Sequence, residues 1–118
     1  MFMNLLTASL MLVGILAASS HVIAGADDAK PNGDQGPAST AYAQANAKMH
    51  TRLAITYTGD ADADFVPWMI PHHQGAIDAA KVELQYGKDP DMLKMAKMIL
   101  GQETEIAAMK AWLKQHGM

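Results

Sequence analysis

The chain has 118 residues, half of them apolar, with a formal net charge of -3, which fits one small domain. Nine Lys and Arg residues are outnumbered by twelve Asp and Glu residues, so the basic surface that nucleic acid requires is missing. The same balance argues against a basic helix lying on a membrane surface.

The first 26 residues have the pattern of a secretory signal peptide. An apolar run from Leu5 to Ala18 is followed by small residues that end in Ala24-Gly25-Ala26, and we predict cleavage after Ala26. The run is shorter than the roughly 20 apolar residues needed to span a bilayer, so an uncleaved anchor is the alternative interpretation. Cleavage predicts a periplasmic or secreted protein without stable membrane insertion.

A polar segment separates this signal from the folded domain. Residues 27–36, DDAKPNGDQG, are rich in turn formers and predict a disordered leader. The domain is expected to cover residues 37–118, with a first helix from Ser39 to about Thr58. Side chains that recur there at three- and four-residue steps are Tyr42, Ala45, Met49, Leu53 and Thr56.

Capping residues delimit a second helix, from Asp64 to Tyr86. Asp64 is the expected N-cap, because Pro67 then falls within the first turn. Gly87 follows the predicted end and is a typical residue after a helix C-terminus.

A third helix is predicted from Pro90 to about Gln115, with Asp89 as its N-cap. No segment alternates with period two, so no strand is expected. Three helices joined by short turns predict an all-α, antiparallel three-helix bundle. Its core would be small, and homodimerisation into a larger bundle is therefore expected.

The segment WMIPHHQGA, residues 68–76, places polar side chains on the expected buried face of the second helix. At 100° per residue, Met69 points between His72 and His73. Pro71 removes one backbone hydrogen bond and should bend the helix there. One thioether and two imidazoles would then converge at a bend, which is typical of a metal site.

The other two helices carry potential donors as well. Helix one offers the consecutive pair Met49 and His50, and helix three has a stripe along one flank of its apolar face: Met98, Gln102, Glu105, Met109 and His116. For Gln102 and Glu105 two roles stay open, as ligands or as partners that orient the imidazoles. His116 is expected in a frayed tail or as an accessory ligand, and Met92 and Met95 in the core.

The donor types point to copper. Thioether sulfur favours Cu(I) or Ag(I), and imidazole suits copper, zinc and nickel. The chain has no cysteine and lacks the His and Cys spacings of zinc sites. None of Glu83, Glu103 and Glu105 is followed by a His three residues later, as di-iron bundles require. Phosphate loops and nucleophile motifs are also missing from the sequence, so an enzyme is not expected.

The run TGDADADFVPWMIPHHQGAIDAAKVELQYGKDP, followed by Gln102, Glu105-Ile106, Met109 and Trp112-Leu113, resembles the CopM-like family of small exported helical proteins. The resemblance covers about residues 49–113. It implies a ferritin-like bundle and periplasmic copper binding through six residues: Met49, His50, Met69, His72, His73 and Met109. Leu53 and Ala79 stand where many relatives have methionine, which puts the number of bound ions in doubt.

The sequence thus predicts an exported protein that sequesters or carries Cu(I), with Cu(II) and Ag(I) as further candidates. It would contribute to copper tolerance, with copper-trafficking proteins as partners. Expected accessory residues are Gln102, Glu105, Met98 and His116. The alternative is a helical interaction or dimerisation module whose Met- and His-rich groove has no metal function.

Overall fold

The computed structural model describes Gly25 and residues 28–118, so the predicted signal peptide lies outside the described residues apart from Gly25. The described part is all-helical, as predicted, and contains no strand. Its helices are α1 (Pro37–Leu53), α2 (Ala61–Tyr86), α3 (Pro90–Ile99) and α4 (Gln102–Gln115). None of these helices is both long and apolar enough to span a bilayer.

The link between α1 and α2 is longer than the sequence predicted. Helix α1 ends at Leu53 rather than near Thr58, so the predicted end was wrong. The carboxylate of Asp64 explains the difference, because it accepts hydrogen bonds from the Thr58 N–H and hydroxyl, both 2.8 Å, and from the Gly59 N–H at 3.1 Å. Gly59 has φ +88, a conformation that suits glycine and ends the extended segment.

Because Asp64 is used in this way, another aspartate caps α2. The N-cap is Asp60, whose side chain accepts from the N–H groups of Asp62 and Ala63. The prediction of Asp64 as N-cap was wrong because the GDADAD segment offers several carboxylates at neighbouring positions. Pro67 consequently lies inside the helix, as does Pro71.

The predicted third helix is divided in two. At Leu100–Gly101 the backbone bonds tighten to three-residue steps, from the Gly101 N–H to the Met98 carbonyl at 3.0 Å and from the Thr104 N–H to the Gly101 carbonyl at 3.2 Å. Glycine is a weak helix former, and such tightened turns commonly mark a helix boundary. The prediction of one continuous helix was therefore wrong.

Helix α2 packs extensively against each of the other three helices. Tyr42 of α1 reaches Glu83 of α2, and Lys48 reaches Asp78 at 3.5 Å. Residue numbers rise on α1 as they fall on α2, so these helices are antiparallel. On the other side, Glu105 of α4 meets His73, while Met92, Met95 and Ala96 of α3 adjoin Ala80.

The two sets of neighbours occupy opposite sides of α2. His73 contacts α4, whereas Gly75 lies against Met49 of α1. Two residues along an α-helix turn through about 200°. Helix α2 therefore lies between α1 and the α3–α4 arm and must be apolar on both sides. Its buried residues are Val66, Pro71, Gly75, Ile77, Ala80 and Val82.

The described part of the leader lies beside α1. The Asp34 carboxylate accepts hydrogen bonds from the Ser39 hydroxyl at 2.8 Å and the Gly36 N–H at 2.9 Å, just before and within the first turn of α1. Residues 29–32 border an open cleft of about 590 Å³ together with Tyr42 and Ala43. The leader thus contacts the domain that it precedes.

Candidate metal centre

His73 lies at the seam between α2 and α4, the contact zone that we call the α2–α4 seam. Its Nε2 is 2.6 Å from Glu105 Oε2, and its side chain is 17% exposed. Its Nδ1 is buried and has no hydrogen-bond partner among the described residues. When the proton is on Nε2 and is donated to Glu105, Nδ1 carries a free lone pair. Metal-binding histidines typically have this carboxylate partner on the other ring nitrogen.

A second polar atom at the α2–α4 seam lacks a partner as well. Gln102 Oε1 is buried without a hydrogen bond to any described residue. Gln102 and Glu105 are three residues apart and therefore share a face of α4. Leaving a buried polar group unsatisfied costs about 1–3 kcal/mol, so the seam contains unmet capacity for a ligand.

Two methionines lie one turn away from the His73–Glu105 pair. Met69 precedes His73 by four residues and Met109 follows Glu105 by four, and both are half-buried. Because α2 and α4 are antiparallel, these two turns face each other across the seam. Met109 also lines a cavity of about 510 Å³ with Phe65 and Val66 of α2. The seam thus combines one buried imidazole nitrogen with two thioethers.

His72 is in a different environment from its neighbour. It is exposed and stacks on Trp68, with ring centroids 5.2 Å apart and an interplanar angle of 16°. Its ring centroid is 6.4 Å from that of His73. Consecutive residues of a helix point about 100° apart, so His72 stands at the rim of the seam.

Met49 and His50 are not brought to His73. The Met49 side chain fills the space that a Cβ on Gly75 would occupy, since such an atom would lie 2.8 Å from Met49 Cγ and 3.0 Å from its Cβ. His50 is exposed in the last turn of α1. Both lie on the opposite side of α2 from His73, so the six ligands implied by the family resemblance do not surround one point.

The expected accessory residues are also separated. Met98 is on α3, outside the α2–α4 seam, and is strongly exposed. His116 stacks on Trp112 with centroids 3.9 Å apart, and its Nδ1 is 2.8 Å from the Trp112 carbonyl at the end of α4. Met92 and Met95, predicted to be core residues, are exposed. That prediction was wrong because both side chains border an open cleft at the edge of the α2–α3 contact instead of lying beneath it.

Sequence reasoning missed two Trp–His pairs, and it predicted from the small size of Gly75 that a helix or a ligand could come close without identifying Met49 as the partner. Trp68 and His72, like Trp112 and His116, are separated by four residues and stack on one helix face. The repeated W-x-x-x-H spacing could have revealed both pairs. The close approach of Met49 to Gly75 needed the three-dimensional contact.

The described residues contain no group of three or more His, Cys, Asp or Glu side chains arranged to hold a metal ion. An ion in the α2–α4 seam would therefore need the thioethers of Met69 and Met109 as donors beside His73. This mixed set fits a soft, monovalent ion and does not fit calcium, magnesium or a closed zinc site.

The chain was also compared with known proteins. No curated protein matches it. A family model described as a domain of unknown function (DUF305) matches residues 10–113, from within the predicted signal peptide to the last turns of α4. Because this match covers most of the sequence, the chain belongs to the DUF305 family.

Proposed function

We propose that this chain is an exported copper-binding protein that sequesters or carries Cu(I) in the α2–α4 seam. His73 Nδ1, Met69 and Met109 are the ligands, and Glu105 orients the imidazole. The observation that carries the proposal is the buried, unpartnered Nδ1 of a histidine whose Nε2 is already held by a carboxylate. That arrangement leaves a buried lone pair on Nδ1 without a protein partner.

The identity of the ion follows from the donors. Two thioethers and one imidazole are neutral ligands of a kind that stabilises Cu(I) and Ag(I) over Cu(II), which favours tetragonal N and O donors. The Glu105 carboxylate supplies one compensating negative charge at the edge of the seam. The CopM-like resemblance supports the same ion, and it supports a role in copper tolerance rather than catalysis.

His72 has a separate role in this proposal. It is exposed at the rim beside Trp68, so an arriving ion can meet it before reaching the half-buried donors. Met49 and His50 stay outside this first ion because they lie across α2. The predicted signal peptide supports a periplasmic or secreted location, where copper-trafficking proteins would deliver or collect the ion.

The proposal is tested by anaerobic Cu(I) titration of the chain against a competing chelator, repeated with the double variant His72→Ala and His73→Ala. Tight binding of a Cu(I) ion that the double variant no longer binds is expected, with the helical circular dichroism spectrum preserved. Binding at a hundredfold excess of copper over the dissociation constant should also stabilise the fold by about 2.7 kcal/mol. Magnesium should leave the melting temperature unchanged. Equal Cu(I) binding by both proteins would refute the proposal.

A second candidate function is favoured by a separate observation. Phe65 is 54% exposed and borders the open cavity that Met109 and Trp112 also line, which suits a protein interface. In that case the domain pairs with a second copy, completing the ferritin-like bundle expected from the resemblance. Sedimentation of wild type and Phe65→Ser decides this point. A dimer that the substitution dissociates, in a chain that binds no copper, would establish the interaction module.

A further inference from the structure

Helix α3 displays three methionines at its surface, which we call the methionine row. Met92, Met95 and Met98 are 44%, 53% and 72% exposed. Methionine is usually found in protein interiors, and exposing three such side chains on one ten-residue helix sacrifices apolar burial. The row therefore needs an explanation other than packing.

The spacing of the row brings its sulfur atoms within reach of one another. Residues three apart on a helix have Cβ atoms about 5–6 Å apart, and the three side chains fan across about 120° around the central Met95. Methionine has three rotatable side-chain bonds. Because each of the three side chains is at least 44% exposed, its sulfur atom has room to turn toward a common ligand.

The surroundings of the row are suited to a cation. Met92 and Met95 line a cleft of about 210 Å³ together with Glu83 and Tyr42. The Glu83 carboxylate accepts a hydrogen bond from the Tyr42 hydroxyl at 3.3 Å and places negative charge beside the thioethers. Lys97 follows Met95 by two residues and points to the opposite side of α3, whereas Lys94 precedes Met98 by four residues and lies on the flank of the row.

This location is distinct from the α2–α4 seam. The cleft beside the row adjoins Ala80 and Glu83, which follow His73 by seven and ten residues. At 1.5 Å per residue this is about 10–15 Å along α2. An ion held by the methionine row would not share a ligand with His73.

We propose that Met92, Met95 and Met98 form a second soft-metal site that binds Cu(I) or Ag(I) through thioether sulfur, independently of His73. Thioethers bind such ions and discriminate against hard cations. An exposed, all-thioether site exchanges its ion more readily than the half-buried seam, which suits it to capture or hand over an ion at the surface. The proposal stands without the seam, because no residue is common to the two.

The test uses Ag(I), which has the same ligand preference without redox chemistry. Native mass spectrometry of the full chain counts bound Ag(I) in wild type and in the triple variant Met92→Leu, Met95→Leu, Met98→Leu. Leucine nearly preserves volume and removes the sulfur. The matched control is Met118→Leu, which removes another exposed thioether. We expect the triple variant to bind one Ag(I) fewer per chain and the control to bind as wild type does.

A second variant separates this proposal from the seam. His73→Ala should lose the seam ion and retain the ion of the methionine row. If the His73 variant and wild type bind equally while the triple variant binds less, the seam proposal fails and the row proposal survives. If only the His73 variant binds less, the reverse holds.

Resonances of the methionine ε-methyl groups provide a readout that does not depend on the triple variant folding. Added Ag(I) should shift the methyl signals of Met92, Met95 and Met98 in wild type, and the single variant Met98→Leu should weaken the shifts of the other two. Unmoved signals together with unchanged stoichiometry would overturn the proposal. Altered oligomeric state in the triple variant with unchanged Ag(I) binding would overturn it in favour of a protein contact surface.

Discussion

The two sides of α2 use the same residue type for different purposes. On the α1 side, Met49 fills the space over Gly75 and lets the two helices approach closely. On the α4 side, Met69 and Met109 lie a turn away from a histidine nitrogen that lacks a partner. On these two sides of α2, the unsatisfied nitrogen beside Met69 and Met109 distinguishes them as ligand candidates from Met49, which packs.

The comparison also explains why the two sides tolerate change differently. The α1 side is close-packed, and close-packed contacts respond to each added atom. The α2–α4 seam contains two unsatisfied polar atoms, Nδ1 of His73 and Oε1 of Gln102. These two unsatisfied atoms should lower the free energy of unfolding, and an ion bound there as proposed should restore it.

Gly75→Leu should have the largest effect, because it breaks the α1 side. The added side chain meets Met49, and such overpacking should lower the free energy of unfolding by about 3 kcal/mol, as measured by urea denaturation. The paired change Gly75→Ala with Met49→Ala is the control, since it removes the obstruction and should recover part of the loss. A Gly75→Leu variant as stable as wild type would show that α1 does not pack as described.

Glu105→Ala tests the proposed metal site on the α4 side of α2, and it should weaken Cu(I) binding. Loss of the hydrogen bond to His73 Nε2 leaves the imidazole free to rotate, and such partners typically contribute 10–100-fold to metal affinity. We expect about a tenfold weaker Cu(I) affinity in a competition titration. Glu103, an acidic residue of the same helical turn, provides the matched variant Glu103→Ala, which should leave affinity unchanged. Equal losses in both would indicate general electrostatics rather than orientation of His73.

Asp64→Ala tests the loop that leads into α2. Hydrogen bonds, above all that from the Thr58 N–H, hold the pKa of Asp64 below its ordinary value. Its folded pKa is depressed, so its contribution to stability is present above the unfolded pKa of about 3.9 and is lost as pH falls through the folded value. The variant should melt at a lower temperature than wild type at pH 7, and the difference should shrink in acid. A pH-independent difference would contradict this assignment.

Tyr42→Phe should have the smallest effect. Burial, followed by the hydrogen bond to Glu83, raises the pKa of Tyr42. Stability from the neutral hydroxyl is therefore present below the unfolded pKa of about 10 and is lost as pH rises through the folded value. Removing this exposed hydrogen bond should cost about 0.5 kcal/mol near neutral pH, measured by thermal melting. A large loss of helical structure would mean that the α1–α2 contact depends on this pair.

Local chemistry made part of this fold predictable. Tyr86 ends α2, and the Asp89-Pro90 pair begins α3 as predicted, because caps act through bonds to adjacent residues. The end of α1 was not predictable from neighbouring residues. The Asp64 carboxylate accepts hydrogen bonds from the N–H groups of Thr58 and Gly59, six and five residues earlier in the chain. The helix boundary at Leu100–Gly101 was likewise missed, although a glycine within a helical pattern marks a weak point.

In the candidate site as well, relations within one helix were predictable and contacts between helices were not. Helical spacing placed Met69 with His72 and His73, and Glu105 with Met109, because these relations hold within one helix. The different environments of His72 and His73 depend on where α4 crosses α2, as does the exposure of Met92 and Met95. Periodicity gives the angle of a side chain around its helix and leaves open which angles another helix covers.

The central claim is that copper binds between α2 and α4 and not between α1 and α2. The most direct test is a Cu(I) competition titration that compares His73→Ala with Met49→Leu, two variants that change opposite sides of α2, with circular dichroism to check that both are folded. The account predicts a loss of affinity of about 100-fold or more for His73→Ala and an unchanged affinity for Met49→Leu. A comparable loss in both variants, or a loss in Met49→Leu alone, would contradict it.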